Sequence, residues 1–116
     1  NAGNQTNTGG NPTTQTVSFS TQVYPILKNN CQTCHGATSG GGNLRIGNDA
    51  PTTYSNLMNK TPLSGGSFID TANPSQSLIL LKATKSISHN GGQIFTTNSQ
   101  EYQTILTWIQ QGAKNN

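Results

Sequence analysis

The stretch KNNCQTCHGA, residues 28–37, places both cysteines of the chain and one of its two histidines within five positions. Reactive side chains are scarce elsewhere, so the chemistry is concentrated here. The pattern Cys31-Gln32-Thr33-Cys34-His35 is the sequence signature for attachment of a c-type haem. Two thiols three residues apart on a helical turn can add to the two vinyl groups of one porphyrin edge, and the adjacent His35 is then directed at the iron as proximal ligand. Two other chemistries use the same groups. A redox disulfide between Cys31 and Cys34 needs only C-x-x-C, but it belongs beside a βαβ pattern that this sequence lacks. A zinc site of Cys31, Cys34, His35 and His89 has the right ligand count. Structural zinc ligands, however, are ordinarily paired with two or more residues between them, whereas His35 follows Cys34 directly. Zinc is the alternative from a different class, a metal-stabilised structural or interaction module.

Composition bears on what surrounds the motif. The chain has 116 residues, enough for one domain, and only 29% of them are apolar, against roughly 45–50% in an ordinary globular chain. A core this thin would gain from a covalently held apolar cofactor, as other small scaffolds gain from disulfides or metals. Charged residues make up 8%, where about 25% is usual. The surface is therefore polar but uncharged, and the isoelectric point near 9.1 overstates its basicity. Five lysines and Arg45 are scattered singly, which gives no cationic footprint for nucleic acid. The longest aliphatic run, Leu78 to Leu81, is far short of the ~20 residues of a membrane span.

Residues 1–16, NAGNQTNTGGNPTTQT, carry no large apolar side chain and read as a flexible polar tether, of the kind that separates a secreted or lipid-anchored domain from its attachment point. The domain proper is expected over 17–114. Val23, Ile26 and Leu27 mark a helix with Ser20 as its N-cap, leading into Cys31. The loop GATSGGGN, 36–43, has three consecutive glycines that permit a close approach of backbone. Asp49 and Pro51 open a second helix through Tyr54, Leu57 and Met58, and Asn73 and Pro74 open a third through Leu78, Leu80 and Leu81. Tyr102, Ile105, Leu106 and Ile109 form the stripe of a last helix capped by Asn98 or Ser99 and ended by Gly112. The fold class expected is mainly α, a small helical domain with long polar loops around one covalent haem.

Several segments together resemble the small monohaem c-type cytochrome domains of secreted bacterial proteins. These open with a V-x-P-I-L helix before the haem motif and close with a W-I-x-x-G-A helix; here the counterparts are VYPIL, Val23 to Leu27, then CQTCHG, then WIQQGA, Trp108 to Ala113. ANPSQSLILLKA, Ala72 to Ala83, is similar to a P-G-x-P-x-x-S-x-L segment of those domains, with the leading Pro-Gly replaced. The resemblance covers roughly residues 17–114. It implies one haem c held by Cys31 and Cys34, iron ligated by His35, and a periplasmic, cell-surface or extracellular location in a bacterium, with redox proteins as partners.

The distal ligand has two candidates, His89 and Met58, and an open iron is the third reading. Relatives with methionine ligation carry it in a Met-Pro-Pro stretch before the final helix, and SHNGGQIF, Ser88 to Phe95, stands there instead. Other members have a His-Gly-Gly-Gly-like segment at that place, so the resemblance implies His89, although Asn90 departs from the pattern. A loop of Asn-Gly-Gly can also approach a flat ring closely. Met58 sits beside Leu57 on a helix, where methionine usually fills core. Arg45, after the glycine loop, is a candidate donor to a haem propionate. With no acid–base pair or nucleophile arrangement near the motif, the expected function is electron transfer by Fe(III)/Fe(II) cycling rather than catalysis. A sensory haem domain with an exchangeable distal ligand is the alternative. A surface so poor in charge also offers little repulsion between copies, which admits self-association into an oligomer or filament with its haems in a chain.

Overall fold

Helices begin where a side-chain oxygen can accept from the free N–H groups of a first turn. In the computed structural model, which describes residues 15–36 and 40–116, the hydroxyl of Ser18 accepts from the Thr21 N–H at 3.2 Å. It opens a single π-helical turn, Phe19–Val23, that runs directly into helix α1, Tyr24–Cys31. The cap is thus Ser18 rather than Ser20, whose hydroxyl is occupied by the carbonyl of Asn116 at 3.0 Å. Pro25 lies in the first turn of α1. Its ring has no N–H and would crowd the carbonyl four residues earlier, and the wider π turn just ahead of it makes that room.

Helix α2, Ala50–Asn59, begins at Asp49, whose carboxylate accepts from the Thr52 N–H at 2.7 Å, with Pro51 in the first turn. Thr53 and Leu57 face inward. That N–H holds the Asp49 carboxyl below the usual carboxylate range. The folded state therefore binds this proton less readily than the unfolded one. The stability contributed by the cap is complete above the ordinary aspartate pKa of about 3.9 and is lost as pH falls through the lower folded value. Acid titration followed by amide exchange is expected to show Thr52 losing protection ahead of the interior of α2.

The third predicted helix is broken in two. A 3-10 turn, Pro74–Gln76, is followed by an extended Ser77 at ψ 131° and then by α3, Leu78–Ala83. The cause is Ser77 itself: fully buried, its hydroxyl accepts from the Asp70 N–H at 2.8 Å. The N–H groups of Leu78 and Ile79 turn to the carbonyls of Ser67 and Phe68. Helix α4, Gln100–Gln110, is capped by Ser99, which accepts from the Tyr102 N–H at 3.2 Å, and Gly112 ends it at φ +104°. The described residues contain helices and turns and no strand. The chain is mainly helical, as its sequence predicts.

The core is continuous despite the low apolar content, and its centre is aromatic. Phe19, Tyr54 and Trp108 pack mutually, with ring centroids 5.3 Å apart for Phe19 and Tyr54, 5.0 Å for Phe19 and Trp108, and 6.2 Å for Tyr54 and Trp108. The polar tips are satisfied by the tail of the chain: the Trp108 indole N–H donates to the Lys114 carbonyl at 2.8 Å and the Tyr54 hydroxyl to the Ala113 carbonyl at 2.7 Å. Aromatic burial with its polar atoms paired is strongly stabilising. Leu27, Ile46, Leu80, Ile105 and Ile109 extend this cluster toward α1 and α3.

The two ends of the described chain are fastened together. The Gln111 side chain accepts from the Val17 N–H at 2.8 Å and donates to the Gln15 carbonyl at 2.9 Å. Asn116 accepts from the Phe19 N–H through its side chain at 2.8 Å, and its carbonyl receives the Ser18 and Ser20 hydroxyls. Ordered contacts therefore reach beyond residue 114, where the sequence places the domain boundary. Residues 1–14, which hold most of the predicted tether, lie outside the described residues, as do 37–39 of the glycine loop. No helix among the described residues is long and apolar enough to cross a membrane.

Candidate functional site

Cys31 is the last residue of α1, and the helical path continues past it for one turn: the N–H groups of Cys34 and His35 both donate to the Cys31 carbonyl, at 3.2 and 2.8 Å. A turn of that kind brings residues three apart onto one side, the arrangement two thioethers to a single ring edge would need. Cys31 is half-buried and packs against the core, while Cys34 is exposed. Burial, reinforced by Cys34, pushes the Cys31 thiol up to about 11, so it is protonated at neutral pH. A protonated thiol is a poor redox nucleophile. Among the described residues no group of three or more His, Cys, Asp or Glu is placed to hold one metal ion, which leaves the zinc reading without its geometry.

The motif is anchored by the segment after the glycine loop. Gln32 donates to the carbonyl of Gly47 at 3.0 Å and to the Asn48 side chain at 3.1 Å, and the Ile46 N–H donates to the His35 carbonyl at 2.9 Å. Gln32 was part of the motif in sequence, but its part in positioning depends on residues fifteen places further on and is invisible there. Gly40 makes the close approach expected of the glycine loop. It sits at φ +117°, and a Cβ there would overlap the Cys34 carbonyl oxygen and lie 2.8 Å from the His35 Cα. Gly41, by contrast, has open space around it and no left-handed φ. Gly40→Ala is therefore expected to cost about 1–3 kcal/mol from backbone strain alone, more from the clash, and to displace His35. Gly41→Ala should stay close to the parent chain; thermal unfolding of the pair, compared side by side, checks this.

His89 comes from the loop between α3 and α4, fastened at both ends to the close of α3. Lys82 donates to the Ser88 carbonyl at 2.8 Å, and the Ile94 and Phe95 N–H groups donate to the Ala83 carbonyl at 2.7 and 3.2 Å. This loop carries His89 to His35. Their ring centroids are 6.4 Å apart and their planes differ by 12°. Two imidazole nitrogens each about 2 Å from one metal ion, with ring centres about 1 Å further back, would put the centroids about 6 Å apart. The observed centroid spacing matches that separation.

His35 is half-buried, and its buried Nδ1 has no hydrogen-bond partner among the described residues. Burial lowers its pKa first and His89 next; backbone at Gly41 and Leu44 lies near enough to favour the proton in part, while Arg45 opposes it. The neutral ring is favoured, which is the form that ligates a metal. Arg45 uses one guanidinium nitrogen to donate to the Gly40 and Leu44 carbonyls, both at 3.0 Å, closing the glycine loop beside His35. Met58 is 39% exposed at the rim of α2 and is not part of the core.

Four large apolar side chains are exposed among the described residues, Met58, Leu63, Ile87 and Ile94. Ile87 and Ile94 flank His89 in sequence, and the Leu63 N–H donates to the Gly42 carbonyl beside the His35 loop at 3.1 Å, with its side chain 79% exposed. The residues present thus fit a haem in two respects: the histidine spacing and the cysteine turn. Compared with protein-family models, with curated proteins and with solved structures, the chain matches none.

Proposed function

We propose that this chain is a monohaem electron carrier, with haem c bound through Cys31 and Cys34 and its iron held between His35 and His89. The observation that carries the reading is the pair of imidazole rings 6.4 Å apart and nearly parallel, reached from two segments fifty-odd residues apart. Bound there, a haem supplies a one-electron couple, Fe(III) to Fe(II). The chain's own residues do the rest. Cys31 and Cys34 tether the porphyrin edge, Gln32 and Ile46 hold the motif, and the loop from Ser88 to Phe95 presents His89. Arg45, whose Nη1 donates to the Gly40 and Leu44 carbonyls, is the candidate donor to a propionate.

With His35 and His89 both committed to the iron, a bound haem would offer no site for a substrate, which favours electron transfer over turnover. Attachment of haem c outside the cytoplasm, as in the domains the sequence resembles, makes periplasm, cell surface or the extracellular space its place of action. An optical spectrum of protein matured with export machinery, oxidised and reduced, tests the reading. A c-type α band with no near-infrared sulfur-to-iron band supports His35 and His89 as ligands. That band would move the distal position to Met58, and the lack of any haem spectrum would return Cys31 and Cys34 to other chemistry.

A further inference from the structure

Two adjacent glycines follow His89 and are glycine for different reasons. Gly92 is at φ +82° with nothing within 4 Å of where its Cβ would be, so its need is conformational. Gly91 has no left-handed φ, and any L-residue could take its backbone. Its neighbour is the constraint. A Cβ on Gly91 would lie 3.0 Å from Cε1, 3.4 Å from Nε2 and 3.6 Å from Nδ1 of His89, the whole nitrogen-bearing edge of the ring.

The same turn fixes the ring from the other side. The Gly92 N–H donates to the His89 carbonyl at 2.9 Å, and the Gly92 carbonyl stands 2.8 Å from the His89 Nδ1. A carbonyl only accepts, so in this contact Nδ1 carries the hydrogen and Nε2 keeps its lone pair. His35 has no such partner at its buried Nδ1. The two imidazoles are therefore held differently: His35 through its backbone, His89 through a ring wedged between a hydrogen bond and a bare Cα.

Resting on the haem reading above, we infer that Gly91 is a positioning residue that sets the plane of the distal imidazole: by lacking a side chain it lets the His89 ring lie within 12° of the His35 ring. The plane has an electronic consequence. Parallel imidazoles direct their π donation along one direction and split two iron d orbitals that crossed imidazoles would leave nearly equal. Orientation of a metal ligand by its outer partners is a general means of tuning a site.

Electron paramagnetic resonance of the oxidised holoprotein reads this directly. The parent is expected to give a rhombic low-spin signal. Gly91→Ala makes the His89 ring give way at its Cε1 edge, and the resulting turn is expected to raise the largest g value while the optical spectrum stays six-coordinate and low-spin. Gly66→Ala, at φ +80° in a turn with open space around it, should lower the melting temperature without moving any g value. Unchanged g values in a haem-loaded Gly91→Ala protein would overturn the assignment. Independently of that variant, proton NMR of the reduced parent should show His89 Hε1 close to the Gly91 α protons, and absence of that contact would overturn it too. A parent that is not low-spin with two nitrogen ligands would instead refute the ligand pair itself, before any variant is compared.

Discussion

Trp108→Ala is expected to be the most destabilising single substitution in the chain, at about 3–5 kcal/mol, the usual cost of deleting a large buried aromatic. Trp108 is fully buried and is the residue through which α4 meets both the π-helical turn and α2, by way of Phe19 and Tyr54. Removing it opens a cavity between three elements at once. It also strips the Lys114 carbonyl of its indole donor and loosens the tail whose Ala113 carbonyl receives Tyr54. A domain of this length has roughly 6–17 kcal/mol to lose, so the thermal midpoint should fall by about 10–20 °C. Trp108→Phe separates the contributions: it keeps most of the packing and loses the hydrogen bond, for about 1 kcal/mol or somewhat more from the smaller ring. Calorimetry of the two variants tests the ordering, and near-equal midpoints for them would show that the indole hydrogen bond, not ring packing, dominates.

The second large effect is functional. On the proposed haem reading, His89→Ala is expected to leave the thioethers of Cys31 and Cys34 and the proximal His35 in place, open the sixth coordination position and turn a low-spin haem high-spin. Carbon monoxide, which should bind the reduced parent slowly or not at all, should then bind rapidly and stoichiometrically. Loss of one imidazole weakens the stabilisation of Fe(III), so the midpoint potential should rise. His89→Met should also raise it, since Met/His ligation lies higher, while keeping the iron six-coordinate. If His89→Ala left spectrum, ligand binding and potential as in the parent, the distal ligand would lie elsewhere. Met58, exposed on α2, would then be tested the same way.

Much of this architecture could be read from the chain because it is encoded locally. Asp49 with Pro51, and Ser99 followed by the stripe Tyr102, Ile105, Ile109, give helix starts and buried faces that depend on residues within a few positions of one another. The Cys31 to His35 motif is legible for the same reason, since all its groups lie within a turn and a half. The misreadings trace to distant partners. Ser20 looks like a cap until Asn116, 96 residues away, takes its hydroxyl, and the helix expected from Pro74 is broken by a bond between Ser77 and Asp70. Phe19, which leaves no periodic mark ahead of α1, proves to be at the centre of the core. At the site, His89 could be proposed from its loop and from resemblance, but its distance to His35 is a property of two fastened loops. The part played by Gly91 needs the position of a ring that no spacing in the sequence reports.

The fastening of residues 15–20 to Gln111 and Asn116 has a mechanical meaning. Force applied to the chain at its two described ends enters and leaves through neighbouring points, and it must break the bonds from Gln111 and Asn116 before any tension reaches α1 or the loop of His89. The histidine pair therefore stands off the load path. Anything pulling at those ends strains a sacrificial seam first, before the spacing of the two histidines is stretched.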